Sequence, residues 1–245
     1  MPSPLNLAAL QAVLDDLLHA ALFANVDDQK GVFLPSERPV HRLGVALEPF
    51  PGLNDWLAAG RLDALFLHRP WRLADDQRAA LQRGGIGVLA YHLAFDERLT
   101  TGFNPTLAEA LAWNPPTLLG EKEGRPLGML CSLPAARTFA EVDADLSRQF
   151  GLSLDKQPPV PDRPVEKVAV VGAMNDALVR QAAEAGAGLY VTGQWRQPAR
   201  RAVEETGIGV VAVGHQRSEV WGLHALARLL RARLPEIAVL TPPIH

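Results

Sequence analysis

The chain has 245 residues, 48% apolar and 21% charged, with a formal net charge of −3. These values fit an ordinary globular protein and argue against a generally basic, nucleic-acid-coating surface or attraction to anionic lipid. The single cysteine, Cys131, excludes an intrachain disulfide, and no apolar run is long enough to span a bilayer. The N-terminus shows no basic leader, and Asp15 and Asp16 interrupt its apolar pattern, so a cytoplasmic protein is expected.

Leu7, Leu10, Val13, Leu14, Leu17, Leu18 and Ala21 recur at helical spacing, with Ser3 as a cap and Pro4 at the first position. Residues 24–40 read as irregular. Three short apolar runs follow at 43–47, 63–67 and 86–91, each bounded by turn residues or charge, as buried parallel strands are. A helix over 105–113 closes this half. Asn114, Pro115, Pro116 and the charged stretch 120–125 mark a boundary, dividing an N-terminal lobe, 1–120, from a C-terminal lobe, 121–245.

The second half opens with a strand over 127–133, a helix over 139–150 and a proline-rich loop over 158–164. The three-strand pattern then returns at 167–171, 188–192 and 209–213, with helices at 176–185 and 198–206. A long helix spans 219–234, capped by Ser218, and Val239 and Leu240 suggest a last strand. Spacings agree between the halves. Glu48 to His68 is 20 residues and Gly172 to Gly193 is 21; His68 to His92 is 24 and Gly193 to His215 is 22. The expected fold is α/β: two similar three-layer lobes with mainly parallel sheets and right-handed crossovers.

In such sheets ligands sit at the carboxyl ends of the strands, where His68, His92 and His215 all fall. His92 is followed four residues on by Asp96, and His215 by Glu219. Imidazole with carboxylate is the ligand set of a divalent metal. One histidine after a strand is more often structural; three with carboxylate partners favour a metal. Glu219 also suits a helix N-terminus by charge alone. Arg69, Arg72, Arg196 and Arg217 fall in loops at the same edge, either as a solvated surface or as a rim for an anionic substrate. No G-x-G-x-x-G follows Gly172, and neither a Walker loop nor a nucleophile elbow is present. Cys131 lies mid-strand and reads as buried and inert.

Five ordered stretches carry a resemblance. They are Asp63 to Pro70 with His68 and Arg69, Tyr91 to Asp96, Asn104 with residues 107–111, Tyr190 to Gln194, and Gly214 to Glu219. Together they resemble the NGG-interacting-factor-three-like family, the type-2 form of GTP cyclohydrolase I. The resemblance implies a two-lobed α/β protein with a metal cleft between the lobes and a toroidal homohexamer built as a trimer of dimers. It places metal ligands at His68, Asp96, His215 and Glu219, with His92 beside them as ligand or neighbour. Residues 115–125 leave no room for the inserted middle domain of some members.

The chain departs from the pattern at Arg69, where the family has a second histidine, and at Gln194, where it has glutamate. Arg is permanently protonated and only donates, so one ion (zinc, manganese or iron) is expected rather than two. Two functions remain open. One is a metal-dependent hydrolase for a nucleotide or phosphorylated small molecule, GTP ring opening being the family's nominal reaction, with His92 or Glu219 moving protons. The other is a non-catalytic oligomeric scaffold or regulatory protein with a degenerate metal site.

Overall fold

The computed structural model describes residues 5–243. The chain packs as two compact units: Met1–Phe95 with Leu223–His245, and Asp96–Gly222.

In the first unit, α1 (Leu7–Leu17) starts at Asn6, whose side-chain oxygen accepts the Ala9 N–H at 2.8 Å. The expected cap Ser3 and Pro4 lie outside the described residues. Then come β1 (Lys30–Leu34), β2 (Arg42–Ala46), α2 (Leu53–Gly60), β3 (Ala64–Leu67), α3 (Asp75–Arg83) and β4 (Gly87–Tyr91). The sheet order is β1-β4-β3-β2 followed by the C-terminal strand Ala238–Leu240. The three expected strands are present and parallel, Leu43 pairing with Ala64 and Ala64 with Gly87. β3 is buried along its whole length because both faces are covered. Leu65 and Leu67 join Leu53, Leu57 and Leu81 from α2 and α3. Phe66, on the other face, lies against Tyr91 and Phe95. β1 corrects the irregular reading of 24–40. It is a short antiparallel edge strand, and its order comes from pairing with β4 rather than from any periodicity of its own.

The second unit contains the rest: α4 (Leu93–Leu99), which straddles the boundary at Phe95 and Asp96, α5 (Pro105–Ala110), β5 (Thr117–Lys122), β6 (Arg125–Arg137), α6 (Phe139–Phe150), β7 (Asp155–Gln157), β8 (Val165–Val171), α7 (Asp176–Glu184), β9 (Leu189–Thr192), α8 (Arg200–Thr206), β10 (Gly209–Ala212) and the first turns of α9 (His215–Arg233). Its sheet runs β5-β6-β8-β9-β10-β7. β8, β9 and β10 are parallel, as expected; β5, β6 and β7 add antiparallel edges. The stretch 120–125 is a hairpin. Glu123 and Gly124 both take positive φ, 52° and 77°, between the paired Lys122 and Arg125, which is a two-residue type I′ turn. Ala169, Val171, Tyr190 and Val210 pack on Leu178, Val179, Ala202 and Val203 of α7 and α8. By strand alternation Val168 and Val170 point the other way, and they are buried too. The sheet is therefore buried on both faces, with α7 and α8 on one of them. Among the described residues no helix is long and apolar enough to cross a membrane.

α9 begins at His215, not at Glu219. Gly214 takes φ +99°, a left-handed turn that a side chain would strain, and the helix starts at once after it. Ser218 therefore lies inside the helix, where its hydroxyl donates to the His215 carbonyl at 2.7 Å.

Candidate metal centre

The early start of α9 decides the geometry. As residues i and i+4 of one helix, His215 and Glu219 share a face, and His215 Nε2 lies 2.9 Å from Glu219 Oε1. The Gly214 N–H donates to the Gly193 carbonyl at 3.0 Å, which holds the turn against the end of β9. The Glu219 side chain is 1% exposed while that of His215 is 57% exposed, so a buried carboxylate faces a more open imidazole. Asp96, on α4, completes a trio whose ligand atoms all lie within 4.8 Å of one another. Two carboxylates and an imidazole form an oxygen–nitrogen donor set suited to zinc, manganese or iron. A cation would also offset the desolvation cost of burying Glu219.

Asp96 is held by its own helix. Thr100 Oγ donates to the Asp96 carbonyl at 2.6 Å, and Asn104 Nδ2 donates to the Thr100 carbonyl at 3.0 Å. The next residue, Glu97, accepts two bonds from the buried Arg125 of β6, at 3.0 and 3.3 Å. α4 is thus fixed from both its end and its side.

The first unit, taken by itself, holds two histidines of defined tautomer. His68 is fully buried after β3, and its Nδ1 lies 3.0 Å from the Tyr91 carbonyl. A carbonyl only accepts, so Nδ1 carries the proton and Nε2 carries the lone pair. His92, at the start of α4, is ordered by Asp28. Its Nδ1 is 2.8 Å from Asp28 Oδ1, and the Leu93 N–H donates to Oδ2 at 2.7 Å. The two imidazole rings lie 5.0 Å apart. Burial pushes the Asp28 carboxyl up, but the bonds from His92 and Leu93 outweigh it, and the group titrates below its ordinary range. Asp28, which orders a candidate site residue, is one that the sequence alone did not single out. It sits in the irregular-looking stretch, 64 residues before its partner, and no local pattern signals it.

The four arginines separate. Arg69 Nη1 lies 3.7 Å from Glu48 Oε2, and Arg72 also pairs with Glu48. Arg217 donates to the Leu152 carbonyl. Arg196 lines a cavity of about 430 Å³ together with Gln194 and His215.

Comparison with known proteins agrees with this architecture. The chain is 25% identical over 239 residues to a GTP cyclohydrolase 1 type 2 homolog of Archaeoglobus fulgidus, covering 94% of this chain and 95% of the relative. It is 30% identical over 152 residues to a protein of the same description from Neisseria meningitidis, covering 61% and 58%. Among solved structures, protein ybgI, described as of unknown function, superposes with a TM-score of 0.78 at 19% identity, covering 98% and 99%. Reduced HcgD from Methanocaldococcus jannaschii gives 0.72 at 20%, covering 99% of both chains. At such identities the structural matches establish the fold alone. The family model Duf34/NIF3 (NGG1p interacting factor 3) matches residues 5–243, all of the described residues, and the chain belongs to that family.

Proposed function

We propose that this protein is a divalent-metal-dependent hydrolase of a nucleotide or phosphorylated small molecule, GTP being the first substrate to try. The observation that carries the reading is the trio Asp96, His215 and Glu219, with its buried carboxylate. In this reading His68, with its lone pair on Nε2, joins them as a fourth ligand. A bound zinc, manganese or iron ion would supply a water of lowered pKa and polarise the scissile group. His92, its Nδ1–H directed to Asp28, can accept a proton at Nε2, and Glu219 can serve as a second proton carrier. In this reading the cation for an anionic substrate is Arg196, on the cavity beside His215, while Arg69 and Arg72 face Glu48 and Arg217 faces the Leu152 carbonyl. One ion is proposed rather than two, because the guanidinium of Arg69 cannot ligate. The names of the curated relatives support the GTP assignment.

Elemental analysis of untagged protein tests this, with about one transition metal per chain expected. His215→Ala should lose the metal and keep its circular dichroism. Absence of metal, with no thermal shift on adding zinc or manganese, would sink the hydrolase. That result would favour the second reading, a non-catalytic scaffold or regulatory protein, which Arg69 and Gln194 support. A homohexamer, as a trimer of dimers, and a cytoplasmic location belong to the same proposal. Light scattering that returned a monomer would overturn the hexamer.

A further inference from the structure

The cavity beside His215 lies wholly within the second unit. It is formed by residues 172–175 after β8 and by Gly193, Gln194, Arg196 and Pro198 after β9. These are the carboxyl ends of adjacent parallel strands, and its volume of about 430 Å³ suits a small molecule. Among the described residues that line it there is no carboxylate, and Arg196 is the one permanent charge.

Arg196, like Arg163 and Arg217, is set apart from six other arginines of its unit. Arg125, Arg137, Arg148, Arg180, Arg200 and Arg201 are each tied to an acid, whereas Arg196 forms none of the ion pairs among the described residues. Its backbone is anchored, since the Arg196 N–H donates to Met174 Sδ at 3.4 Å and joins the two loops. Asn175 Oδ1 accepts the Leu178 N–H at 2.9 Å, which leaves its NH₂ group as the end for a ligand. Gln194 supplies a second neutral amide. A glutamate at 194, as in the pattern the chain resembles, would set a negative charge in the same space.

We propose that this cavity is an anion-binding subsite for the phosphate group of the substrate. Arg196 carries the charge, Asn175 and Gln194 donate hydrogen bonds, and the neutrality of Gln194 sets the preference for an anion. The subsite rests on the metal-centre reading for its catalytic purpose, because His215 stands at its rim.

Titration calorimetry with inorganic phosphate on the full chain tests it, once after chelator treatment and once after loading with manganese. The chelator-treated protein should bind phosphate saturably. Arg196→Ala and Gln194→Glu should each weaken that binding at least tenfold. Arg83→Ala, an exposed control on α3, should not, and Arg196→Ala should bind manganese as wild type does. Phosphate binding that is unchanged in Arg196→Ala, or that requires manganese, puts the anion on the metal and overturns the subsite. Arg196-dependent phosphate binding in a protein that takes up no manganese upholds the subsite and refutes the metal centre, so the two failures read differently.

Discussion

Asp28 shows how much rests on one half-buried carboxylate. It fixes the His92 ring through Nδ1 and pins the first amide of α4 at the same time. In the proposed centre Asp28 acts on the ligand Asp96 through the start of α4, and partners that position a ligand typically change metal affinity by about 10–100-fold. Asp28→Asn should therefore bind manganese about 10–100-fold more weakly in a chelator competition, with its secondary structure intact. Unchanged affinity would reduce Asp28 to a helix-capping role. Cys131 is the opposite case, a reactive group made inert. Burial pushes its thiol up to about 12, so the thiolate is scarce at pH 8. Ellman's reagent should leave it unmodified in the native protein and modify it rapidly in denaturant. Fast labelling of the native chain would contradict its burial in β6.

At the scale of elements, the best-specified helix is α6. Thr138 and Glu141 form a reciprocal capping box at its start, and the helix runs from Phe139 to Phe150 as the sequence predicts. Thr138→Ala should cost about 1 kcal/mol in urea denaturation. The backbone and hydroxyl hydrogens of Thr138 hold the Glu141 carboxyl below its ordinary value of 4.5. The folded chain therefore binds fewer protons there than the unfolded one. Its contribution is fully present above pH 4.5 and is lost as the pH falls below that. The difference in melting temperature between wild type and Glu141→Gln should shrink below pH 4.5 and stay constant above it. α4 depends instead on a distant residue. Arg125→Met removes the cation that faces Glu97 and leaves a partly buried acid, which should cost about 3 kcal/mol. It should also weaken metal binding, since Asp96 rides on the same helix. A stable variant with normal metal affinity would show that α4 is held by its own end alone.

For the whole molecule, the duplicated three-strand pattern was legible because buried parallel strands are apolar along their length and alternate with helices. β2, β3 and β4 in one unit and β8, β9 and β10 in the other follow it. The edge strands β1, β5 and β7 were not legible. Each is short or partly exposed, and its order comes from a neighbour rather than from its own composition. By itself, then, the sequence determined the α/β class, the strand ends at which His68, His92 and His215 stand, and the His-x-x-x-carboxylate pairs. All of these are local, written in periodicity and spacing. Only the tertiary structure decided that α9 starts at His215, because a single glycine dihedral sets that boundary. It alone paired Asp28 with His92 and Arg125 with Glu97, and it alone put Arg196 on a cavity while Arg69 and Arg72 turn to Glu48. Those are contacts between residues 21 to 64 positions apart, or surface side chains choosing among partners, and no local pattern encodes them.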